Sequence, residues 1–360
     1  MTDWLDELSV PAASQLPAPS AYLAHVDAAA ADPSLIRLAS NENSDPPSPR
    51  VRAALATAYD EANRYPPTAP PLRTMIAARM GVADGSILIG AGSTEVIDAT
   101  LRTFVRAGDE VVLITPSWPV CRARLTALEA RLIDVPLADD GDSFAFDVDA
   151  LLAAVTRRTK VIVVCTPNNP TGNSLGLEDL RRCAEAGPLL LVDAAYADFD
   201  RDHDPSPLAC ESRRVIVTRT FSKAYALAGL RLGYAIGDPT LLDRIARFLV
   251  PGSSVGVAAL RAGIAALEDE EHVRHQIERV RTERERLVPA LRALGLRAFA
   301  SRGNFVAVEP SSVGLTPEEL TGALRERGVL IRPMGERLAR ITVGRAGENA
   351  ALLAALSDLL

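Results

Sequence analysis

The chain has 360 residues, of which 48% are hydrophobic and 24% are charged, a composition that fits a globular protein with a large core and excludes a disordered one. The formal net charge of -7 argues against nucleic-acid binding, and no apolar run reaches the roughly 20 residues needed to span a membrane. Two of the 39 basic residues, Lys160 and Lys223, are lysines, so lysine chemistry has two candidates.

The start of the chain and its cysteines predict where the protein resides. The first ten residues lack the basic region and apolar run of a secretory signal, and the four cysteines form no CxxC pair. We therefore expect a cytoplasmic protein without disulfides and without a metal site.

The order of predicted elements indicates the fold. The first forty residues have weak periodicity and predict an arm or an irregular lead-in, whereas helices are predicted to begin at Ser48, with Pro49 at the first helical position, and at Pro71. Strands and helices then alternate. The predicted strands are 87–89, 111–114, 132–135, 161–164, 189–192 and 215–217, and the helices between them include 94–106, 147–156 and 177–185. This alternation predicts an α/β fold with a mostly parallel sheet between helices, which binds ligands at the carboxyl ends of its strands.

The pattern changes after residue 237. A long charged helix is predicted over 260–294, with Pro289 expected to kink it or end it early. A smaller α+β unit follows, with strands near 304–308, 329–332 and 340–343. We predict an N-terminal arm that is part of the small domain (1–45), a large domain (46–245) and a small C-terminal domain (246–360).

Segment 218–237 is the most informative. Lys223 follows a predicted strand, with Thr220 and Ser222 before it and Arg231 after it. A lysine beside apolar residues and a fixed cation has a lowered pKa and can form a Schiff base, and hydroxyl and guanidinium groups can hold a phosphate. A solvated loop lysine is the alternative that this segment leaves open.

Two further strand ends carry residues suited to a flat anionic cofactor. Ser93 and Thr94 lie where a helix begins, so their amides would face an anion. Trp118 follows the next strand and could stack on a planar ring, although it could equally belong to the core.

The next two strand ends carry polar groups. Asn169 lies in a proline-rich turn that offers a side-chain amide, and a plain β-turn is the alternative. Asp193 ends an apolar strand, where an unpaired charge is costly and a protonated pyridine nitrogen would be a partner. Tyr196 could reach the hydroxyl of the same ring.

Together these motifs resemble the fold-type I pyridoxal-phosphate (PLP) aminotransferases of class I/II. The chain is most similar to their histidinol-phosphate aminotransferase branch. The matching segments, in chain order, are 38–43 (LASNEN), 64–66 (RYP), 169–172 (NPTG), 193–196 (DAAY), 219–231, 304–305 (NF) and 340–344 (RITVG).

The resemblance implies that PLP is the cofactor. Lys223 would form the Schiff base with it and move the proton, while Asp193 would keep the pyridine nitrogen protonated. The residues implied for the other cofactor contacts are Tyr196 and Asn169 at the ring oxygen, Trp118 on the ring face, and Ser93, Thr94, Thr220, Ser222 and Arg231 at the phosphate.

The resemblance also implies a homodimer with shared active sites, because Tyr65 would reach the phosphate of the neighbouring subunit. Arg340 would bind the substrate α-carboxylate with Asn41 nearby, and Arg332 matches the position that binds a distal phosphate in this branch. Tyr22 is the nearest substitute for an N-terminal aromatic element that the chain lacks.

The implied reaction is ping-pong transfer of an amino group, as in amino-acid biosynthesis. The donor would be histidinol phosphate or an aromatic or related amino acid, and the acceptor a 2-oxo acid. The chain departs from the branch at Trp118, Cys121 and Ala194, where Tyr or Phe, a second aromatic and Glu are usual. Two alternatives therefore stay open: a PLP-dependent decarboxylase of an amino-acid phosphate or a specialised-metabolism PLP enzyme, and a non-catalytic ligand-binding domain on the same fold.

Overall fold

The structure is a computed structural model. It describes residues 19–67, 70–249 and 254–360, with side chains from residue 25 onwards. The strands are β1 Ile36–Arg37, β2 Ile87–Gly90, β3 Glu110–Thr115, β4 Arg131–Pro136, β5 Ala138–Asp139, β6 Phe144–Ala145, β7 Thr159–Cys165, β8 Leu189–Asp193, β9 Val215–Thr220, β10 Gly233–Gly237, β11 Arg297–Ala298, β12 Phe305–Glu309, β13 Val329–Leu330, β14 Arg332–Met334 and β15 Leu338–Thr342. The α-helices are α1 Pro19–Ala31, α2 Pro49–Ala58, α3 Pro71–Met80, α4 Ser93–Phe104, α5 Pro119–Ala127, α6 Val148–Ala153, α7 Leu177–Glu185, α8 Leu208–Glu211, α9 Pro239–Ala246, α10 Val257–Glu268, α11 Glu270–Ala293, α12 Pro317–Glu326 and α13 Ala346–Ser357. Short 3-10 turns lie at Tyr59–Glu61, Asp84–Ser86, Ala197–Phe199, Arg201–His203, Ala228–Leu230 and Pro310–Val313.

A seven-stranded sheet in the order β2-β10-β9-β8-β7-β3-β4 forms the large layer. Its strand pairs are parallel except those of β10, which runs antiparallel to both β2 and β9. Alternate residues of its strands pack into different apolar clusters: Val112 and Ile114 lie in one, and Val111 and Leu113 in another. Both faces of the sheet are thus covered, which confirms the predicted α/β fold and explains the continuous apolar runs.

A smaller antiparallel sheet, in the order β11-β12-β15-β14, forms a separate layer towards the C-terminus. The two-residue strand β1 pairs in parallel with β13 beside it. This pairing leads the N-terminal segment towards the site, because residues 38–43 follow β1 directly.

Local chemistry accounts for the helix starts. The side chain of Ser48 accepts a hydrogen bond from Val51 N and Pro49 is at the first helical position, so α2 begins where predicted. Helix α12 begins with a capping box between Thr316 and Glu319.

Four predictions of secondary structure are wrong or incomplete. Residues 19–31 form a helix rather than an irregular lead-in, because alanine favours helix even where amphipathic periodicity is weak. The predicted helix over 260–294 is divided at Asp269, and its second part continues past Pro289. The predicted strand over 329–332 is split between β13 and β14, which belong to different sheets, and β10 was not predicted.

Among the residues that the structure describes, no helix combines the length and apolarity needed to cross a membrane.

Candidate active site

The predicted site residues lie along one edge of the large sheet. Asp193 is the last residue of β8 and Thr220 the last of β9. Ser93 opens α4 after β2, Trp118 lies between β3 and α5, and Asn169 follows β7. The edge formed by the carboxyl ends of the parallel strands therefore gathers side chains that are distant in sequence, as expected for α/β sheets.

Lys223 is the lysine of this edge. Its Nζ donates a hydrogen bond to the backbone carbonyl of Ser40 at 3.1 Å and lies 5.8 Å from the ring centroid of Tyr196. The pKa of Lys223 is lowered to about 7, mainly by burial and in part by the charge of Arg340, while Glu42 opposes the shift. Near pH 7 much of the amine is therefore neutral, the form that attacks a carbonyl.

Asp193 is a buried carboxylate. Burial raises the pKa of Asp193 to about 6, although the backbone N–H of Ala195, 3.2 Å from Oδ1, and the charge of Lys223 lower it. Sγ of Cys165 lies 3.9 Å from Oδ2. Because its ionised form is poorly solvated, this carboxylate suits a cationic N–H partner.

A chain of hydrogen bonds runs through Tyr196. The side-chain amides of Asn41 and Asn169 both donate to its hydroxyl, at 3.0 and 3.1 Å. Asn169 Oδ1 accepts from Arg340 Nη1 at 2.8 Å, and the carbonyl of Ala39 accepts from Arg340 Nη2 at 2.6 Å. Burial raises the pKa of Tyr196, so its hydroxyl keeps a proton to donate.

The N-terminus of α4 forms one side of a polar cup. Gly92 precedes the helix with φ +82°, and a Cβ atom there would lie 2.7 Å from Nη2 of Arg231. A Cβ atom on Gly233 would overlap the amide nitrogen of Ser93. Arg231 and β10 thus pack directly against the first turn of α4, which also contains Thr94.

The hydroxyls of Thr220 and Ser222 form the other side of the cup. Thr220 Oγ1 donates to Ser222 Oγ at 2.9 Å, and Arg231 Nη1 lies 3.5 Å from the same oxygen. Helix N-terminal amides, hydroxyls and a guanidinium around one point are typical of a phosphate site.

A cavity of about 370 Å³ opens next to Asp193. Trp118 and Arg332 both line it. In the β14–β15 ladder Arg332 lies directly opposite Arg340, which places both side chains on the same face of the small sheet.

Two residues considered from the sequence, Tyr65 and Lys160, are separate from this cluster. Tyr65 is 94% exposed. Tyr22 lies in α1, but its side chain is outside the described residues. Lys160 is exposed near the start of β7, at the opposite edge of the sheet from Lys223.

Sequence reasoning did not select three residues that contact the cluster. Ser40 accepts from Lys223, and Asn304 donates from Nδ2 to the carbonyl of Asn41 at 3.1 Å. Both lie in segments that carry the family resemblance, so a signal existed. His25, whose Nε2 is 2.7 Å from Ser40 Oγ, lies on an alanine-rich helix and belongs to no motif.

The mostly parallel central sheet flanked by helices is that of the fold-type I aminotransferases. The family model of aminotransferase class I and II matches residues 33–356. The chain therefore belongs to the aminotransferase class I and II family, whose members depend on PLP.

Individual relatives agree with this assignment. The chain is 37% identical over 332 residues to histidinol-phosphate aminotransferase 2 of Caulobacter vibrioides, covering 90% of this chain and 86% of that protein. It is 37% identical over 327 residues to an aromatic amino acid aminotransferase of Mycobacteroides abscessus, covering 89% and 92%. The structure of histidinol-phosphate aminotransferase from Sinorhizobium meliloti in complex with PLP matches with a TM-score of 0.84 and 28% identity, covering 98% and 97%.

Proposed function

We propose that this aminotransferase uses Lys223 as the lysine to which PLP is attached. The lowered pKa of Lys223 and its place beside Asp193 and Tyr196 support this assignment. Glycine at position 92 supports a phosphate site in the polar cup. A Cβ atom at this position would occupy the space next to the guanidinium of Arg231, and glycine leaves that space open. Ser93, Thr94, Thr220, Ser222 and Arg231 would hold the phosphate there.

The groups around the sheet edge fit the ring. Asp193 would hold a proton at the pyridine nitrogen, and Tyr196 and Asn169 would donate to the ring oxygen while Trp118 covers one face. When bound, PLP supplies a ring that withdraws electrons from the substrate α-carbon. Nζ of Lys223 would take the proton from that carbon and return it, a transfer favoured by its pKa near 7.

The amino donor, we infer, carries an anionic group distant from its amine, as histidinol phosphate does. One observation carries this proposal: Arg332 lines the cavity next to Asp193 and lies opposite Arg340 in the ladder. Arg340 would bind the α-carboxylate of an amino or 2-oxo acid, with Asn41 near it, and Arg332 would bind the distal anion. The name of the Caulobacter relative supports histidinol phosphate as the donor, whereas the name of the Mycobacteroides relative points to aromatic amino acids, which carry no distal anion and are the alternative donors.

A panel of donors in single-turnover reactions tests the substrate. It would contain histidinol phosphate, aromatic amino acids and threonine phosphate, with 2-oxoglutarate as the acceptor in a second step. In Arg332→Ala, KM for phosphorylated donors should rise about 10-fold to 100-fold, and KM for unphosphorylated donors should change little. Arg122→Ala is the control, because Arg122 lines the same cavity but pairs with Asp134.

Equal changes for both kinds of donor would contradict the assignment of Arg332. Release of carbon dioxide without a keto product would favour the alternative, a decarboxylase of an amino-acid phosphate. Borohydride reduction tests the lysine independently: the cofactor should remain on the peptide that contains Lys223, and recovery on Lys160 would refute the proposal.

We further propose that the protein is a cytoplasmic homodimer in which Tyr65 contacts the phosphate bound by the neighbouring subunit. The high exposure of Tyr65 in the single chain supports this role. Light scattering should give twice the 38.3 kDa of one chain. Tyr65→Phe should weaken PLP binding, and a monomer with full PLP affinity would refute the shared site.

A further inference from the structure

Residues 39–41, here called the strap, connect the N-terminal segment to the active site. Each of their carbonyl oxygens accepts a hydrogen bond from a different side chain: Ala39 from Arg340, Ser40 from Lys223 and Asn41 from Asn304. The position of the strap therefore affects the position of the groups that we assign to lysine chemistry and carboxylate binding.

The backbone around the strap is held at both ends. Leu38 N donates to Leu330 O at 2.9 Å and Thr342 N donates to Leu38 O at 2.8 Å. Asn41 N donates to Thr342 Oγ1 at 2.9 Å, and Asn41 itself has φ +52°, a conformation that a residue with a Cβ atom adopts rarely. Such a backbone needs support from its neighbours.

The middle residue of the strap, Ser40, contacts a side chain of helix α1. Ser40 Oγ lies 2.7 Å from Nε2 of His25, while the carbonyl of the same residue accepts from Lys223. A single residue thus links the imidazole to the lysine through two hydrogen bonds.

His25 serves this contact as a neutral ring. The pKa of His25 is lowered to about 4, mainly by burial and in part by the charges of Arg332, Arg340 and Arg37, whereas Asp27 opposes the shift. At neutral pH the imidazole therefore offers a hydrogen bond without adding a positive charge next to Lys223.

We propose that His25 is a positioning residue for Lys223: it fixes Ser40, and Ser40 fixes the carbonyl that holds Nζ. This inference rests on the proposed role of Lys223. The carbonyl favours the charged form of the amine, because a hydrogen bond to an ammonium is stronger than one to a neutral amine. Loss of the hydrogen bond between His25 and Ser40 should weaken the bond from Nζ to the Ser40 carbonyl and therefore lower the pKa of Lys223.

Competitive acetylation of the full-length chain, with the cofactor removed, tests the proposal. Labelling of Lys223 is followed across pH by mass spectrometry, with the exposed Lys160 of the same molecule as the reference. The labelling midpoint of Lys223 should fall by about half a pH unit or more in His25→Phe, which keeps a ring but loses the nitrogen. His25→Gln, which can still bond to Ser40, should stay near the wild type.

Ser40→Ala is a second way to break the hydrogen bond between His25 and Ser40, because it removes the hydroxyl and leaves the carbonyl in place. It should shift the midpoint as His25→Phe does, and the double variant should shift it no further. An unchanged midpoint in Ser40→Ala, or additive shifts in the double variant, would overturn the proposal. If the acetylation midpoints shift as expected but borohydride reduction leaves the cofactor on Lys160, the proposed function is refuted. The proposal that His25 positions Lys223 would then still stand.

Discussion

Substitution of Gly92 by alanine should specifically weaken PLP binding. The residue has φ +82°, and a Cβ atom would lie 2.7 Å from Nη2 of Arg231, so the guanidinium must move away from the first turn of α4. The amides of that turn and the guanidinium are the groups that we expect to hold the phosphate together.

The size of the effect follows from two contributions. With φ +82° and ψ 162°, the backbone at residue 92 costs about 1–3 kcal/mol for a residue with a Cβ atom, and this cost falls on the stability of the chain. Displacement of Arg231 costs about 1.5–3 kcal/mol of charge-assisted hydrogen bonding to the phosphate. PLP affinity should therefore fall roughly 10-fold to 100-fold.

Gly108 provides a matched control. Its φ is +80°, and nothing lies within 4 Å of the position that its Cβ atom would take. It precedes β3, at the opposite edge of the sheet from the cup. Titration of the cofactor-free chain with PLP should show weaker binding in Gly92→Ala alone, whereas thermal unfolding should show a loss of stability in both variants. Unchanged PLP affinity in Gly92→Ala, or an equal loss in Gly108→Ala, would refute the reasoning.

Two further variants test the electrostatics of the site. Asp193→Asn should lower kcat about 100-fold or more with PLP still bound, because a buried charge that acts on the ring nitrogen is lost; activity near that of the wild type would contradict this role. Lys223→Met should stabilise the cofactor-free chain at pH 6.5 and have less effect at pH 10. The folded-state pKa of about 7 lies below the ordinary 10.5, so the unfolded chain binds more protons between these values and the native state gains stability as pH rises. Thermal unfolding of both chains at the two pH values measures this difference, and an equal effect at both would show that the amine is not desolvated.

Much of the large sheet could be predicted because the strands β2, β3, β4, β7, β8 and β9 each contain a short apolar run. The strand β10 escaped prediction because it lies within the segment that carries the lysine motif and contains two glycines, Gly233 and Gly237. The helix over 19–31 was not predicted because it is rich in alanine, which gives little contrast between an apolar and a polar face. Pro289 lies inside α11, so its ring does not by itself mark where a helix ends.

The sequence predicts those residues of the candidate site that lie at or just after the end of an apolar strand. Asp193 and Thr220 are polar residues at the ends of apolar strands, and Ser93 follows an apolar strand and a glycine-containing turn. The contacts of His25 and Ser40 are different, because they depend on how the N-terminal segment crosses from the small sheet to the large one. Those contacts join residues far apart in sequence, so they cannot be predicted from the hydrophobic periodicity or from the spacing of motifs.

The antiparallel strand β10 has a consequence for how the protein folds. It lies between β2, which precedes α4, and β9, which precedes Ser222 and Lys223, so the two halves of the phosphate cup become neighbours only when it has been inserted. Pairing over such sequence distances is slow compared with the formation of local helices. The cup should accordingly be among the late parts of the chain to assemble, and the appearance of bound PLP during refolding should report completion of the sheet rather than collapse of its core.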